Sequence, residues 1–341
     1  MLVSTLVIEA RSSFFSSVRF PASIPVSTTT NEPPQQKQIL GTLNFSSLPF
    51  GDFSMALKIW LDDKLVDETD AKISVFDHGL LYGDGVFEGI RVYNGRIFEL
   101  EAHIRRLYES AKVIRLDVPM NKDKLIKAVE KTVEANGVID GYIRLVVTRG
   151  VGTLGLNPFI CEDGRLFIIA DNIQLYPEEL YEKGMKVISA TTVRNHPLAI
   201  PPQIKSMNYL NNILAKIEAL DNDVPEAIMY NHEGYVAEAT GDNVFIVRDG
   251  VIYTPPAEAG ALEGITRNVV IKLARKENLE VVEKNLTRFD LYVCDEFFLT
   301  GTAAEVIGII EIDGRVIGDG RPGPVTKLLR KKFFRYAHRK S

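Results

Sequence analysis

Lys205 lies between Pro201-Pro202-Gln203-Ile204 and an apolar run, Leu210, Ile213, Leu214 and Ile217, whose spacing predicts a helix from about Asn208. That places the lysine at the positive end of a helix dipole among apolar neighbours, and both influences disfavour an ammonium ion. A neutral amine can form a Schiff base with an aldehyde. Taken alone, a lysine is more simply a solvated surface residue. Glu238 is a single carboxylate on the apolar strand Tyr235-Val236-Ala237-Glu238-Ala239. If it points inward it needs a partner, and a pyridinium nitrogen is one; pointing outward at an edge is the equal alternative. Leu262-Glu263-Gly264-Ile265-Thr266-Arg267 sets a glycine before a helix, and Leu299-Thr300-Gly301-Thr302-Ala303-Ala304 makes a tight turn of small residues. Both expose backbone amides to an anion. Arg106 can add a full positive charge to the same anion, whereas Arg105 reads as solvent-facing.

Other chemistries find less support. His78, His103, His196 and His232 lack metal-ligand spacing, and no metal is assigned. Neither a Gly-x-Ser-x-Gly elbow nor a P-loop occurs. A net charge of -5 argues against a nucleic-acid partner. No apolar stretch approaches the ~20 residues that span a bilayer, so no membrane role is expected. Two cysteines, Cys161 and Cys294, cannot build a disulfide framework and read as small core residues in a reducing compartment.

The elements that must position these groups begin after an unusual leader. Residues 1–54 are Ser/Thr-rich and acid-poor, and Asn31-Glu32-Pro33-Pro34-Gln35-Gln36 reads as disordered linker. This is the composition of an organelle transit peptide, which points to a plastid; a disordered extension on a cytoplasmic protein is the alternative. Strands are expected at 58–61, 64–66, 90–93, 96–98, 142–149, 167–171 and 186–192, with a glycine-rich stretch, Gly79 to Gly89, ahead of the Asn94-Gly95 hairpin. Helices follow from about Leu100, over Lys122 to Asn136, from about Asn208, over Thr266 to Lys276 and from Val325. Hairpins mixed with helices, without regular βαβ alternation, indicate a mixed α/β or α+β fold.

In order along the chain, Tyr82 to Gly89, His103 to Leu107, Tyr142-Ile143-Arg144, Ile204 to Leu210, Glu238 to Phe245, Gly264 to Arg267 and Gly301 to Glu305 resemble the class IV (fold-type IV) pyridoxal-phosphate aminotransferases, and especially the branched-chain enzymes. The resemblance runs from about Leu57 to the C-terminus. It implies a two-domain D-amino-acid-aminotransferase-like fold with the site between a small domain, 55–180, and a larger cofactor-binding domain, 181–341. It also implies pyridoxal 5′-phosphate on Lys205 as an internal aldimine. Glu238 would face the ring nitrogen and Tyr209 the phenolic oxygen, with Arg106, Ile265, Thr266 and Thr302 on the phosphate. Tyr82, Phe87, Tyr142, Arg144, Ala303 and Ala304 would face the substrate.

Ping-pong transfer from L-leucine, isoleucine or valine to 2-oxoglutarate is the implied reaction, in a homodimer or an oligomer of dimers. D-amino-acid aminotransferases of this fold carry an arginine and a histidine in the loop after the Thr-Arg-Gly strand, where this chain has Leu154 and Leu156. The loop Gly150 to Pro158 looks instead like that of branched-chain enzymes, where it reaches into the neighbouring subunit's pocket, making Leu156 a substrate residue. The four-residue step from Lys205 to Tyr209 resembles archaeal-type branched-chain enzymes and D-specific ones alike. A D-amino-acid aminotransferase and 4-amino-4-deoxychorismate lyase are the alternatives.

Overall fold

A computed structural model describes residues 56–172 and 176–339; the segment read as a transit peptide lies outside the described residues. The first sheet opens with β1 (Lys58–Leu61) and β2 (Lys64–Asp67), joined at Asp62-Asp63. A short helix, α1 (His78–Tyr82), starts where Asp77 accepts a hydrogen bond from the Gly79 amide and stops at Gly83, whose φ of 69° suits glycine. Then come β3 (Gly85–Tyr93), β4 (Arg96–Ile97), α2 (Leu100–Val113), α3 (Lys122–Ala135), β5 (Gly141–Thr148) and β6 (Arg165–Asn172). Asn94 and Gly95 both take positive φ, as a two-residue hairpin turn demands. The strands run β2-β1-β6-β5-β3-β4, antiparallel throughout. Ile104 and Leu107 of α2, with Leu125 and Val129 of α3, bury one face of this sheet against Val86, Ile90, Ile143 and Leu145.

The second sheet follows α4 (Glu178–Lys183). Its elements are β7 (Met185–Ser189), α5 (Leu210–Asp221), β8 (Glu226–Tyr230), β9 (Val236–Ala239), β10 (Asn243–Arg248), β11 (Val251–Thr254), α6 (Ile265–Lys276), β12 (Val281–Glu283), α7 (Arg288–Tyr292), β13 (Glu296–Gly301), β14 (Glu305–Ile312), β15 (Arg315–Val316) and α8 (Pro324–Ala337). The order is β12-β11-β10-β13-β14-β7-β8-β9, with β15 on β14, and only β11–β12, β14–β7 and β7–β8 are parallel. Val269, Val270 and Leu273 of α6 and Leu329 and Phe333 of α8 pack on the stacked Phe245 and Phe298. The mixed architecture expected from the sequence is present.

Several local readings change or sharpen. The glycine-rich stretch divides into α1 and, from Gly85, strand, where a Cβ on Gly85 would lie 2.7 Å from the Val147 carbonyl oxygen and one on Gly89 2.0 Å from Tyr142 Oη. β7 ends at Ser189, short of Thr192. α5 begins at Leu210, five residues beyond Lys205, so the helix-dipole argument for that lysine lapses; the field is felt only within the first turn. The burial of α5 is also inverted. Asn212, Ala215 and Ala219 face inward, while Leu210, Ile213, Leu214 and Ile217 are 47–67% exposed. Periodicity identifies an apolar stripe but not what it faces, and the small alanines are what let the helix lie close against Ala227 and Met229 of β8. Of the cysteines, Cys294 is buried as expected, whereas Cys161 is half-buried, its thiol 3.2 Å from His78 Nδ1.

Candidate active site

Backbone bonds from β3 hold the lysine segment. The Phe87 amide donates to the Lys205 carbonyl (3.0 Å), and the Met207 amide to that of Gly85 (2.9 Å). The Lys205 amide in turn donates to Ser110 Oγ of α2 (3.2 Å). So tethered, Lys205 Nζ lies 3.1 Å from Tyr209 Oη and 4.7 Å from the centre of the Phe87 ring. Phe87 meets Tyr209 edge to face at 5.0 Å. On β5, Arg144 pairs across from Gly89 and places its guanidinium 4.6 Å over Phe87 and 5.4 Å over Tyr142. Lys205, Tyr209, Phe87, Tyr142 and Arg144 thus come together.

Glu238 points inward and is buried. Its Oε1 accepts from Nε and an NH2 group of Arg194 (3.0 and 2.8 Å), and Oε2 accepts from the Leu262 amide (2.8 Å). Arg194 is steadied by Asn211 and Asn212 of α5. Sequence reading missed this arginine. Its signal was that it is the one Lys, Arg, Asp or Glu between Ser189 and Ile204.

The first anion cup is the N-terminus of α6. Gly264 caps it without a side-chain bond, leaving the Ile265 and Thr266 amides to a ligand. Asn243 Oδ1 fills the space a Cβ on Gly264 would need, 2.0 Å away, and Asn243 Nδ2 donates to the Leu262 carbonyl (2.8 Å). Arg106 reaches the same turn, donating to the Glu263 carbonyl (2.9 Å). Its Nε and NH2 donate to the two oxygens of Glu88 (2.8 and 2.7 Å), and His103 Nδ1 donates to Glu88 Oε2 (2.7 Å). Burial works to raise the Glu88 carboxyl, but the opposing charges of Arg106 and His103 outweigh it and hold it down at about 2. Burial pushes His103 downward, against the pull of the neighbouring Glu88 carboxylate. Glu88 escaped the sequence reading, although it is a lone carboxylate on an apolar strand just as Glu238 is.

The second cup is the β13–β14 hairpin. Thr302 is half-buried and Ala304 fully buried, and Tyr181 Oη donates to the Ala303 carbonyl (3.3 Å). Glu305, at a φ of 55°, closes the turn with Arg91 NH2 3.8 Å from its carboxylate. Consecutive residues link the cups: Asn243 packs under Gly264, and Asp242 under Gly301. Tyr82 and Leu156 are not drawn in. Tyr82 Oη accepts from the Gly155 amide (3.1 Å), and Leu156 is 82% exposed.

These groups fit a phosphorylated pyridine aldehyde. A Cβ on Gly241, in the turn that follows Glu238, would meet nothing within 4 Å, so that turn borders open space. The chain offers an amine, a buried carboxylate, free helix amides and an arginine, the donor set that such a group needs.

Comparison with known proteins agrees. The family described as amino-transferase class IV matches residues 85–312. The chain belongs to that family. A Methanocaldococcus jannaschii relative, provisionally named a branched-chain-amino-acid aminotransferase, is 53% identical over 277 residues, which cover 81% of this chain and 95% of that protein. The Escherichia coli branched-chain amino acid aminotransferase structure superposes with a TM-score of 0.80 at 38% identity, covering 82% of this chain and 94% of that one. The Thermoproteus uzoniensis branched-chain aminotransferase, solved with norvaline, gives 0.78 at 42%, covering 83% and 95%. The aminotransferase therefore has the fold-type IV architecture and the pyridoxal-phosphate dependence expected of it, and its likeness to branched-chain enzymes is borne out. Among its described residues no helix is long and apolar enough to cross a membrane.

Proposed function

We propose that this aminotransferase moves the amino group of L-leucine, L-isoleucine and L-valine to 2-oxoglutarate, with Lys205 as the amine that carries the cofactor. The observation that carries the reading is the wall of the pocket. A ping-pong enzyme must take an aliphatic side chain and a distal carboxylate in one place, and Phe87 and Tyr142 with Arg144 laid across both rings offer an apolar surface and a cation together. Leucines at 154 and 156, where D-specific enzymes of the fold carry an arginine and a histidine, favour L-substrates.

Bound pyridoxal phosphate supplies an aldehyde and an electron-accepting ring. Arg106, the amides of Ile265 and Thr266, and Thr302 would hold its phosphate, Glu238 its ring nitrogen and Tyr209 its phenolic oxygen. The role left to Lys205 is to take the proton from the substrate's Cα and return it, and the nearby Tyr209 hydroxyl keeps its amine in place. Arg194 keeps Glu238 oriented. Ala303 and Ala304 would border the substrate space, and Tyr82 and Leu156, the former bonded to the Gly155 amide of the same loop, would serve the pocket of a second subunit. The exposed stripe of α5 and the exposed Leu154 and Leu156 support a homodimer or an oligomer of dimers, with the site between domains 55–180 and 181–341.

A panel of L- and D-amino acids with 2-oxoglutarate tests the reading. L-leucine is expected to react and D-alanine not. Reaction of D-alanine alone, or pyruvate release from 4-amino-4-deoxychorismate without transamination, would replace it.

A further inference from the structure

Asp242 stands at the junction of the two cups, on the turn between β9 and β10. It is 5% exposed, and its Oδ1 fills the space that a Cβ on Gly301 would take, 1.8 Å from that position. Its backbone carbonyl accepts from the Ala239 amide, but among the described residues its carboxyl forms no hydrogen bond. Beside it, on the strand that pairs with β10, Thr300 Oγ1 is also buried without a partner. A nearly buried carboxyl seldom goes without a bond, so one left free against this turn is open to a partner from outside the protein.

Its ionised form is disfavoured from several sides. Glu226 of β8 and Glu238 of β9 are like charges, Lys216 of α5 and Lys205 oppose them, and the hydroxyls of Tyr176 and of Tyr181 in α4 lie within the same field. Lys216 is already committed to Glu226 (3.3 Å) and Arg194 to Glu238 (2.8 Å), so among the described residues no cation pairs with Asp242 at contact distance. Burial, then Glu226, push its carboxyl up to about 7.

We propose that Asp242 is a protonated positioning residue which donates its carboxyl hydrogen to the cofactor's phosphate at the Gly301–Thr302 turn. A neutral acid bonds a phosphate dianion there, whereas a carboxylate would repel it. The inference rests on the reading that Thr302 holds the phosphate.

The test compares wild type with Asp242→Asn, which keeps a donor but cannot ionise. Full-length protein is stripped of cofactor and titrated with pyridoxal 5′-phosphate between about pH 6 and pH 8.5, followed by absorbance. The dissociation constant of wild type relative to the variant is expected to be flat below pH 7 and to rise about tenfold per unit above it, reaching about thirty-fold at pH 8.5. Pyridoxal, lacking the phosphate, is expected to show no such rise. A ratio that stays flat, or the same rise with pyridoxal, overturns the proposal. Should the variant misfold, calorimetry of wild type with inorganic phosphate in buffers of differing ionisation enthalpy decides. Uptake of about one proton per site at pH 8 supports it, and no uptake overturns it. If neither protein binds pyridoxal phosphate, the reading of the whole site fails, and this inference with it.

Discussion

Replacing Glu88 by glutamine removes the charge that holds Arg106 while keeping the volume. Glu88 is fully buried and bonds two nitrogens of Arg106 and one of His103, so the variant leaves a nearly buried guanidinium without its counter-ion. The carboxyl is held at about 2 instead of 4.5, some 2.5 units at about 1.4 kcal/mol each, or on the order of 3 kcal/mol. That agrees with the ~3–5 kcal/mol lost when one partner of a buried ion pair is removed. Because the folded-state value is depressed, the stabilisation is complete above the unfolded value near 4.5 and disappears as pH falls toward 2. Urea unfolding of both proteins at pH 7, 4.5 and 3 measures it. The gap is expected to be about 3 kcal/mol at pH 7 and less than half of that at pH 3. A gap that stays constant over this range would refute the electrostatic account and leave only a packing effect.

Gly89→Ala would set a methyl group 2.0 Å from Tyr142 Oη, forcing that ring aside at a cost of about 1–3 kcal/mol. The KM for the amino donor is expected to rise at least severalfold with the cofactor's absorbance unchanged; an unaltered KM would contradict the placement of Tyr142. Arg194→Met strands the Glu238 carboxylate and should cost about 3 kcal/mol in urea unfolding, with Arg194→Lys recovering part of it. Equal losses in the two variants would mean that charge is not what matters. Leu214→Glu with Ile217→Glu places charge in the exposed stripe of α5. Light scattering should then report monomer with an unchanged far-UV circular dichroism spectrum, and an unaltered oligomer would remove α5 from the interface.

Much of the site was legible because its parts are local. A glycine before a helix, a turn of small residues and a lone carboxylate on an apolar strand each carry a physical reason within a few residues: Gly264 precedes α6, Gly301 ends β13, and of the two orientations open to Glu238 the inward one is found. What could not be read is pairing across the chain. Arg194 lies 44 positions from Glu238, and Arg106 lies 18 from Glu88, so nothing local announces either bond. The α5 stripe failed differently: a spacing of three and four residues defines a helix face, but only the neighbours decide whether it meets a sheet or solvent. Lys205 was singled out for a partly mistaken reason, since the tether to β3 and the rings of Phe87 and Tyr209 place its amine, and no helix end does.

The central claim is that one amine carries the cofactor. Borohydride reduction of the loaded enzyme fixes the cofactor to whichever lysine holds it, and peptide mass mapping then locates the added mass. A single pyridoxyl label is expected on the peptide containing Lys205. A label on any other lysine, or none on protein that binds the cofactor, would contradict the account.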